Sequence, residues 1–292
     1  MAVSDLSLFT STAFALDNTT SNLQQVEQEV GSGKRVNQPS DDPTAYANAD
    51  ILSAQASALS NDNLLAQRVQ AQLSTADNAL SGVGTSVNSA IAIATQGADG
   101  SVTTSQMASL GVQVMALLQQ VIGAANSQYG GSYLFAGNQI DAPPYDSTGN
   151  YLGNGGTNSV TFSDGTKVQT NFDGTGVFGD STSGLIGTLT SLANALNSGD
   201  KTAVAAALPQ LQDALSTVAS ARGGLGAGMN AVTTMTTNAA AEGATLQSTI
   251  SNLVDADVPQ VAAQEQQTLL QQQALVSLSS SLAQIPLVNI LA

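Results

Sequence analysis

Residues 51–94, ILSAQASALSNDNLLAQRVQAQLSTADNALSGVGTSVNSAIAIA, carry the longest heptad repeat of the chain. An apolar residue recurs there every seven positions, and a second apolar row runs beside it. The first row is Leu52, Leu59, Ala66, Leu73, Leu80, Val87 and Ala94; the second is Val69, Ala76, Val83 and Ala90. A repeat sustained over this length predicts a helix that lies along neighbouring helices, as in a coiled coil.

A polar turn and a second amphipathic segment precede this long helix. The turn, residues 37–43, is NQPSDDP, in which Asp41 or Asp42 is a natural N-cap and Pro43 suits the first helical turn. Upstream, apolar positions step by three and four, which predicts an N-terminal helix that ends at Gly31-Ser32-Gly33. Its stripe includes Leu6, Phe9, Leu16, Leu23 and Val30.

The middle of the chain loses helical periodicity. A helix marked by Met107, Leu110 and Val114 follows the glycines of residues 97–100, and its pattern fades before residue 133. From there to about residue 184 the chain is crowded with Gly, Asn, Thr, Ser and Asp. Asp164-Gly165 between short apolar segments predicts a β-hairpin. We expect the aspartates of this segment to be loop residues.

Helical spacing returns after residue 184 and continues to the C-terminal region. Pro209 predicts a helix start or a kink, and the glycine-rich residues 222–228 predict a bend or a weak helix. Asp255 and Asp257 fit a helix start near Pro259 better than a cation site. The final helix carries an apolar stripe that includes Val261, Leu275, Leu278, Leu282 and Ile285.

These patterns predict a mainly α (α+β) fold. Both chain ends form an elongated, coiled-coil-like helical bundle, and a small β-rich insert lies between them. We expect residues 1–136 to form the N-terminal helical part of a rod domain. We expect residues 137–184 to form the β-rich insert and residues 185–292 to form the C-terminal helical part.

Composition excludes several classes of function. The 292-residue chain has no histidine and no cysteine, which excludes Ser-His-Asp triads, thiol nucleophiles and His- or Cys-based metal sites. Six Lys plus Arg against 21 Asp plus Glu give a net charge of −15, which disfavours nucleic-acid binding. We predict no catalytic, cofactor or metal site. An enzyme built on two carboxylates remains the alternative.

The sequence shows no cleavable secretory signal and no apolar run of about 18 residues. We therefore expect no membrane insertion, and export, if it occurs, to use a specialised route.

The terminal helices have narrow apolar stripes, and such helices are marginal on their own in water. They either pack on each other within one chain or stay mobile until helices of neighbouring subunits cover them. The periodicity alone does not distinguish these two arrangements.

Three segments resemble the flagellin superfamily. VGSGKRVNQPSDDP at residues 30–43 is similar to the superfamily's signature turn, in the form found in its hook–filament junction branch. YLFAG at residues 133–137 and SNLVDAD at residues 251–257 are similar to later segments of the same branch. The signature residues are Gly33, Lys34, Arg35, Pro39, Ser40, Asp41, Asp42 and Pro43.

The resemblance implies a secreted structural protein of the bacterial flagellum, exported through the flagellar type III apparatus. It implies self-assembly into a ring at the hook–filament junction, with a neighbouring hook-associated protein on one side and flagellin on the other. It also implies an export chaperone bound to the C-terminal helix, and no cofactor. The two terminal stripes would then be the subunit-assembly surfaces, and the insert of residues 137–184 would face outward.

Two alternatives stay open under this resemblance. The Gln-x-Pro of residues 284–286 is similar to filament flagellin, which is the alternative function. Lys34 and Arg35 either contact acidic groups of a neighbouring subunit or belong to a solvated turn.

Overall fold

The structure is a computed structural model that describes residues 2–283, with side chains described from residue 7 to residue 281. Within this range it has seven helices and four short strands. The helices are α1 Ala2–Ser32, α2 Pro43–Gly97, α3 Thr104–Ala125, α4 Thr175–Phe178, α5 Gly184–Ser198, α6 Lys201–Val254 and α7 Val258–Ala283. The strands are β1 Gln128–Tyr129, β2 Ser132–Tyr133, β3 Ser159–Thr161 and β4 Lys167–Gln169. The prediction of a mainly α protein with a small β-rich middle is confirmed.

The helix boundaries follow local chemistry that the sequence displays. Gly33 adopts a φ of 69° directly after α1, a conformation that favours glycine. Thr103 begins α3 with a capping box, in which Thr103 and Gln106 each bond to the other's backbone N–H. Gly199 ends α5 in the left-handed conformation, and Asp200 Oδ1 then accepts from the N–H of Ala203 near the start of α6.

The heptad rows of α2 are buried. From Ala66 to Ala94, every member of both rows is at most 1% exposed. Leu52 and Leu59, nearer the start of the helix, are half-buried. The period-seven pattern therefore identified the side of α2 that packs into the protein.

A helix start at Pro209 was wrong, since α6 begins at Lys201 and Pro209 lies inside it. Residues 222–228 are helical as well, which agrees with the predicted weak helix and not with a bend. The physical reason is a heptad row on α6 itself, whose members are all buried. Burial of this row outweighs the weak helix propensity of proline and glycine. Its members are Val204, Leu211, Val218, Leu225, Val232 and Ala239.

The chain folds into two compact units. The first unit comprises Met1–Ser57 and Glu242–Ala292, and the second comprises Ala58–Ala241. The boundaries expected from the sequence, at residues 136/137 and 184/185, follow composition along the chain and stay a prediction.

The second unit contains the main hydrophobic core. Helices α3 and α5 pack on each other, and their buried side chains join those of α2 and α6 in one cluster. Arg222 of α6 also forms a two-bond ion pair with Asp77 of α2, at 2.7 and 3.1 Å. By length and composition α3 could cross a membrane, a property shared by core helices of soluble proteins, and eight of its residues are buried here.

The insert carries two antiparallel hairpins. Strand β3 pairs with β4 around the Asp164-Gly165 turn, as predicted, whereas the β1–β2 hairpin and the single turn of α4 were not foreseen. Both unforeseen elements are too short to show a period. The hairpin loop contacts α2 through Asp62, whose carboxylate accepts from the N–H and the hydroxyl of Ser163.

Aspartates organise the loops of the insert, as expected from the sequence. The carboxylate of each accepts from the N–H and the hydroxyl of the residue two positions later, a compact turn that replaces regular secondary structure. These aspartates are Asp146, Asp164, Asp173 and Asp180.

We expect Gly137→Ala to destabilise the second unit strongly. Gly137 has a φ of 63°, and an added Cβ would overlap the carbonyl oxygen of Asn154, a backbone atom that cannot move aside cheaply. Gly165→Ala is the matched control, because Gly165 has a φ of 84° with nothing within 4 Å of an added Cβ. The control should lower the free energy of unfolding only by the strain that alanine has in the left-handed conformation, about 1 kcal/mol. Equal losses for both variants in urea unfolding would contradict this account.

Candidate functional site: the signature turn and the terminal helices

The signature turn is tied to the end of α6 by backbone hydrogen bonds within the first unit. The N–H groups of Arg35 and Val36 donate to the carbonyl oxygen of Val254, at 2.7 and 3.2 Å. In return, the N–H of Ala256 donates to the carbonyl oxygen of Gly33 at 2.9 Å. These bonds form a short antiparallel bridge between the segment after α1 and the α6–α7 connection.

The side chain of Arg35 strengthens this bridge. Its Nη2 donates to the carbonyl oxygen of Leu253 at 2.8 Å, and its Nη1 lies 3.5 Å from Asp42 Oδ2. A cation at the C-terminal end of a helix interacts favourably with the helix dipole. The structure thus gives Arg35 a role inside the chain, which neither alternative drawn from the sequence had included. Lys34 is exposed, and its proposed contact with a neighbouring subunit stays a prediction.

Asp41 and Asp42 cap backbone groups, as predicted. Asp41 Oδ2 accepts from the N–H groups of Asn37 and Gln38, at 2.9 and 3.0 Å. Asp42 Oδ1 accepts from the N–H of Ala45 at 3.0 Å, at the start of α2. The hydrogen bond from Asn37 lowers the pKa of Asp41, and the hydrogen bond from Ala45, helped by Arg35, lowers the pKa of Asp42.

A small apolar cluster lies beneath the turn. Val36, Ala45, Ala49 and Val254 are each less than 9% exposed and pack together. The turn is therefore attached through an apolar contact as well as through hydrogen bonds, and Pro39, Ser40 and Pro43 lie on its exposed side.

Helices α1 and α7 pack against each other along a seam that is partly polar. Thr12, Thr19 and Thr268 are buried, and each hydroxyl donates to a backbone carbonyl of its own helix. Gln272 Nε2 also donates to Thr20 Oγ1 at 3.4 Å. Because threonine buries little apolar area, this seam stabilises the pair less than a leucine seam would.

The predicted assembly stripes do not all lie in this seam. Leu23 and Val261 are buried, and Leu16, Val30 and Leu275 are half-buried. Phe9 and Leu278 are exposed, at 46% and 44%. The side chains of Leu6 and Leu282 lie outside the described set, and Ile285 lies outside the described residues.

Large apolar side chains are exposed on both terminal helices. Sequence analysis missed five of them because they lie off the predicted stripes: Leu8, Phe14, Val258, Leu270 and Val276. Phe14 is 73% exposed and Leu270 is 66% exposed. Exposed apolar side chains of this size are available for contact with a partner. The signature turn fixes where the two helices leave α2 and α6 along the chain.

The carboxylates of Asp41 and Asp42 accept hydrogen bonds from the backbone of the turn and of α2. Among the residues that the structure describes, no group of three acidic side chains is placed to hold a metal ion.

We expect Arg35→Gln to loosen the signature turn while changing overall stability by less than about 1 kcal/mol, since the side chain is half-exposed. The reason is the loss of the cation that joins Leu253 and Asp42. Lys34→Gln is the control, because it removes the neighbouring exposed cation. Limited proteolysis near residues 33–42 should be faster for Arg35→Gln alone. Equal cleavage of the two variants would contradict the role given to Arg35.

The turn should also weaken in acid. The lowered pKa values mean that the ionised carboxylates stabilise the folded turn, so this stabilisation is present above the ordinary aspartate pKa of about 4 and is lost as pH falls through the lower folded values. Amide chemical shifts of Asn37 and Ala45, followed by NMR on titration to acid, should report this transition. Asp41→Asn should remove the transition at Asn37, and a persistent transition there would contradict the assignment.

Comparison with known proteins places the chain in a family. The profile of the bacterial flagellin N-terminal helical region matches residues 3–140, and that of the C-terminal helical region matches residues 208–291. Flagellar hook-associated protein 3 of Salmonella typhimurium is 32% identical over 164 residues, which are 55% of this chain and 51% of that protein. The chain spans about half the length of the curated relatives that it matches.

Solved structures share the fold. A flagellar hook-associated protein from Vibrio parahaemolyticus superposes with a TM-score of 0.68 at 21% identity, over 74% of this chain and 100% of that one. FlgL of Bacillus cereus superposes with a TM-score of 0.60 at 23% identity, over 70% of this chain and 98% of that one. With matches to both helical regions and the same fold, the chain belongs to the bacterial flagellin family.

Proposed function

We propose that this protein is a structural subunit of the bacterial flagellum that forms the junction between hook and filament. The observation that carries the proposal is the exposed apolar surface on α1 and α7, beside a seam that contains buried threonines. A helix pair of this kind gains most of its stability when other subunits cover its outer faces. The curated relatives named flagellar hook-associated protein 3 support the junction over the filament.

The proposal includes the subunit's route and its neighbours. The protein is exported through the flagellar type III apparatus, with a chaperone on the C-terminal helix until export. It then self-assembles into a ring at the end of the hook, between another hook-associated protein and flagellin. The ring gives flagellin a platform for polymerisation, a structural role that needs no catalytic site.

Deletion and complementation test this function. Without the gene, cells should keep their hooks, lose filaments and release flagellin into the medium. Expression of the full chain should restore filaments. If the protein polymerises into long filaments by itself, it is a filament flagellin, and if filaments grow normally without it, the proposal fails.

Phe14 tests the assembly surface directly. Phe14→Ser should leave export and folding intact, because the side chain is exposed, but should weaken each subunit contact that buries it. Burial of a phenylalanine stabilises by about 1.5–3 kcal/mol, so each contact should weaken by roughly ten- to a hundredfold. Filament counts by electron microscopy should fall with Phe14→Ser and stay normal with Phe14→Leu. Asn18→Ser, a substitution at an exposed polar position on α1, is the second control and should leave the filament count normal.

A further inference from the structure

The second unit contains an apolar cavity of about 450 Å³ between the β3–β4 hairpin, α2 and α6. Its walls include Leu73, Phe135, Val168 and Leu225, each no more than 3% exposed. Ligand sites in proteins are typically clefts of about 300–1,000 Å³ with mostly apolar walls and a few polar groups. This cavity has that size and that lining.

Glycines of α6 leave the space open. Gly224 and Gly228 both line the cavity. A Cβ at Gly228 would lie 3.3 Å from Leu73 Cδ1, so packing explains that glycine, but a Cβ at Gly224 would meet nothing within 4 Å. Each glycine in a helix interior costs about 1 kcal/mol relative to alanine. Packing within the chain therefore accounts for Gly228. Gly224 lines the cavity but is itself exposed, and a side chain added there would meet no atom of the chain.

The polar part of the lining lies on β4. Lys167 and Gln169 line the cavity at its exposed edge. Among the described side chains Lys167 has no ion-pair partner, a property that it shares with Lys34, Arg68 and Lys201, whereas Arg35 and Arg222 pair with aspartates. An exposed ammonium group at the edge of an apolar cavity can pair with the negative group of a ligand.

We propose that this cavity binds a small amphipathic anion, namely a carboxylate with an aliphatic body. The aliphatic body lies against Leu73, Phe135 and Leu225, and it occupies the space beside Gly224. The carboxylate lies at the exposed edge, where the Lys167 ammonium forms a charge-assisted hydrogen bond with it. This inference is independent of the proposed role at the flagellar junction.

Dodecanoate, below its micellar concentration, is the probe, and isothermal titration calorimetry on the full chain is the measurement. We expect one equivalent to bind to the cavity. Gly224→Leu should abolish this binding because its side chain fills the cavity. The matched control is Gly223→Leu, the same change at the adjacent glycine, which does not line the cavity and also has open space beside it. This control should bind as the wild type does.

The charged edge has its own pair of variants. Lys167→Gln should weaken dodecanoate binding by about tenfold, since one charge-assisted hydrogen bond is lost, while Arg68→Gln removes another exposed cation and should have no effect.

Circular dichroism of each variant verifies folding, and Lys167→Gln keeps the test valid if Gly224→Leu does not fold. The proposal is overturned if the wild type binds no dodecanoate. It is also overturned if all variants bind equally, which would place binding on exposed apolar surface elsewhere. Loss of assembly in Gly224→Leu without dodecanoate binding to the wild type would instead show that the cavity receives a protein side chain.

Discussion

The burial of the heptad rows of α2 and α6 is the constraint on which the second unit depends. On α2 the rows from Ala66 to Ala94 are almost completely buried, and on α6 the row from Val204 to Ala239 is buried as well. These rows keep α6 helical through a proline and four closely spaced glycines, which would otherwise favour a break. The insert, α3 and α5 share this core.

The first unit is held by a different kind of interaction. Its signature turn joins the end of α1, the start of α2 and the end of α6 through backbone hydrogen bonds, a buried valine pair and the side chain of Arg35. Beyond this turn, α1 and α7 meet in a seam with buried threonines and leave phenylalanine and leucine exposed. The ordered signature turn therefore lies next to two helices, α1 and α7, whose apolar side chains are only partly covered by the rest of the chain. A protein that assembles with other subunits needs both properties.

The fold could be predicted from the sequence to a large extent. The heptad rows of α2, the break at Gly33, the cap at Asp42 and the hairpin at Asp164-Gly165 are all encoded locally, and each was confirmed. The start of α6 at Lys201 was not predicted, and residues 222–228 were expected to bend or to be weakly helical, because local propensity opposes a helix there. Burial of the heptad row of α6, from Val204 to Ala239, outweighs that propensity. At the candidate site, the capping aspartates were predicted from the sequence. The hydrogen bond from Arg35 to Leu253 was not, because it joins residues 218 positions apart and no local pattern indicates it.

The sequence by itself determined where most helices begin and end, which face of α2 is apolar, and which chemistries are excluded by the lack of histidine and cysteine. These properties depend on residue type and on short-range spacing. Only the tertiary structure decided that threonines line the α1–α7 seam while Phe14 and Leu270 are exposed, and that Gly224 borders a cavity. The physical reason is that burial depends on which surfaces meet, and residues far apart in the chain determine that together.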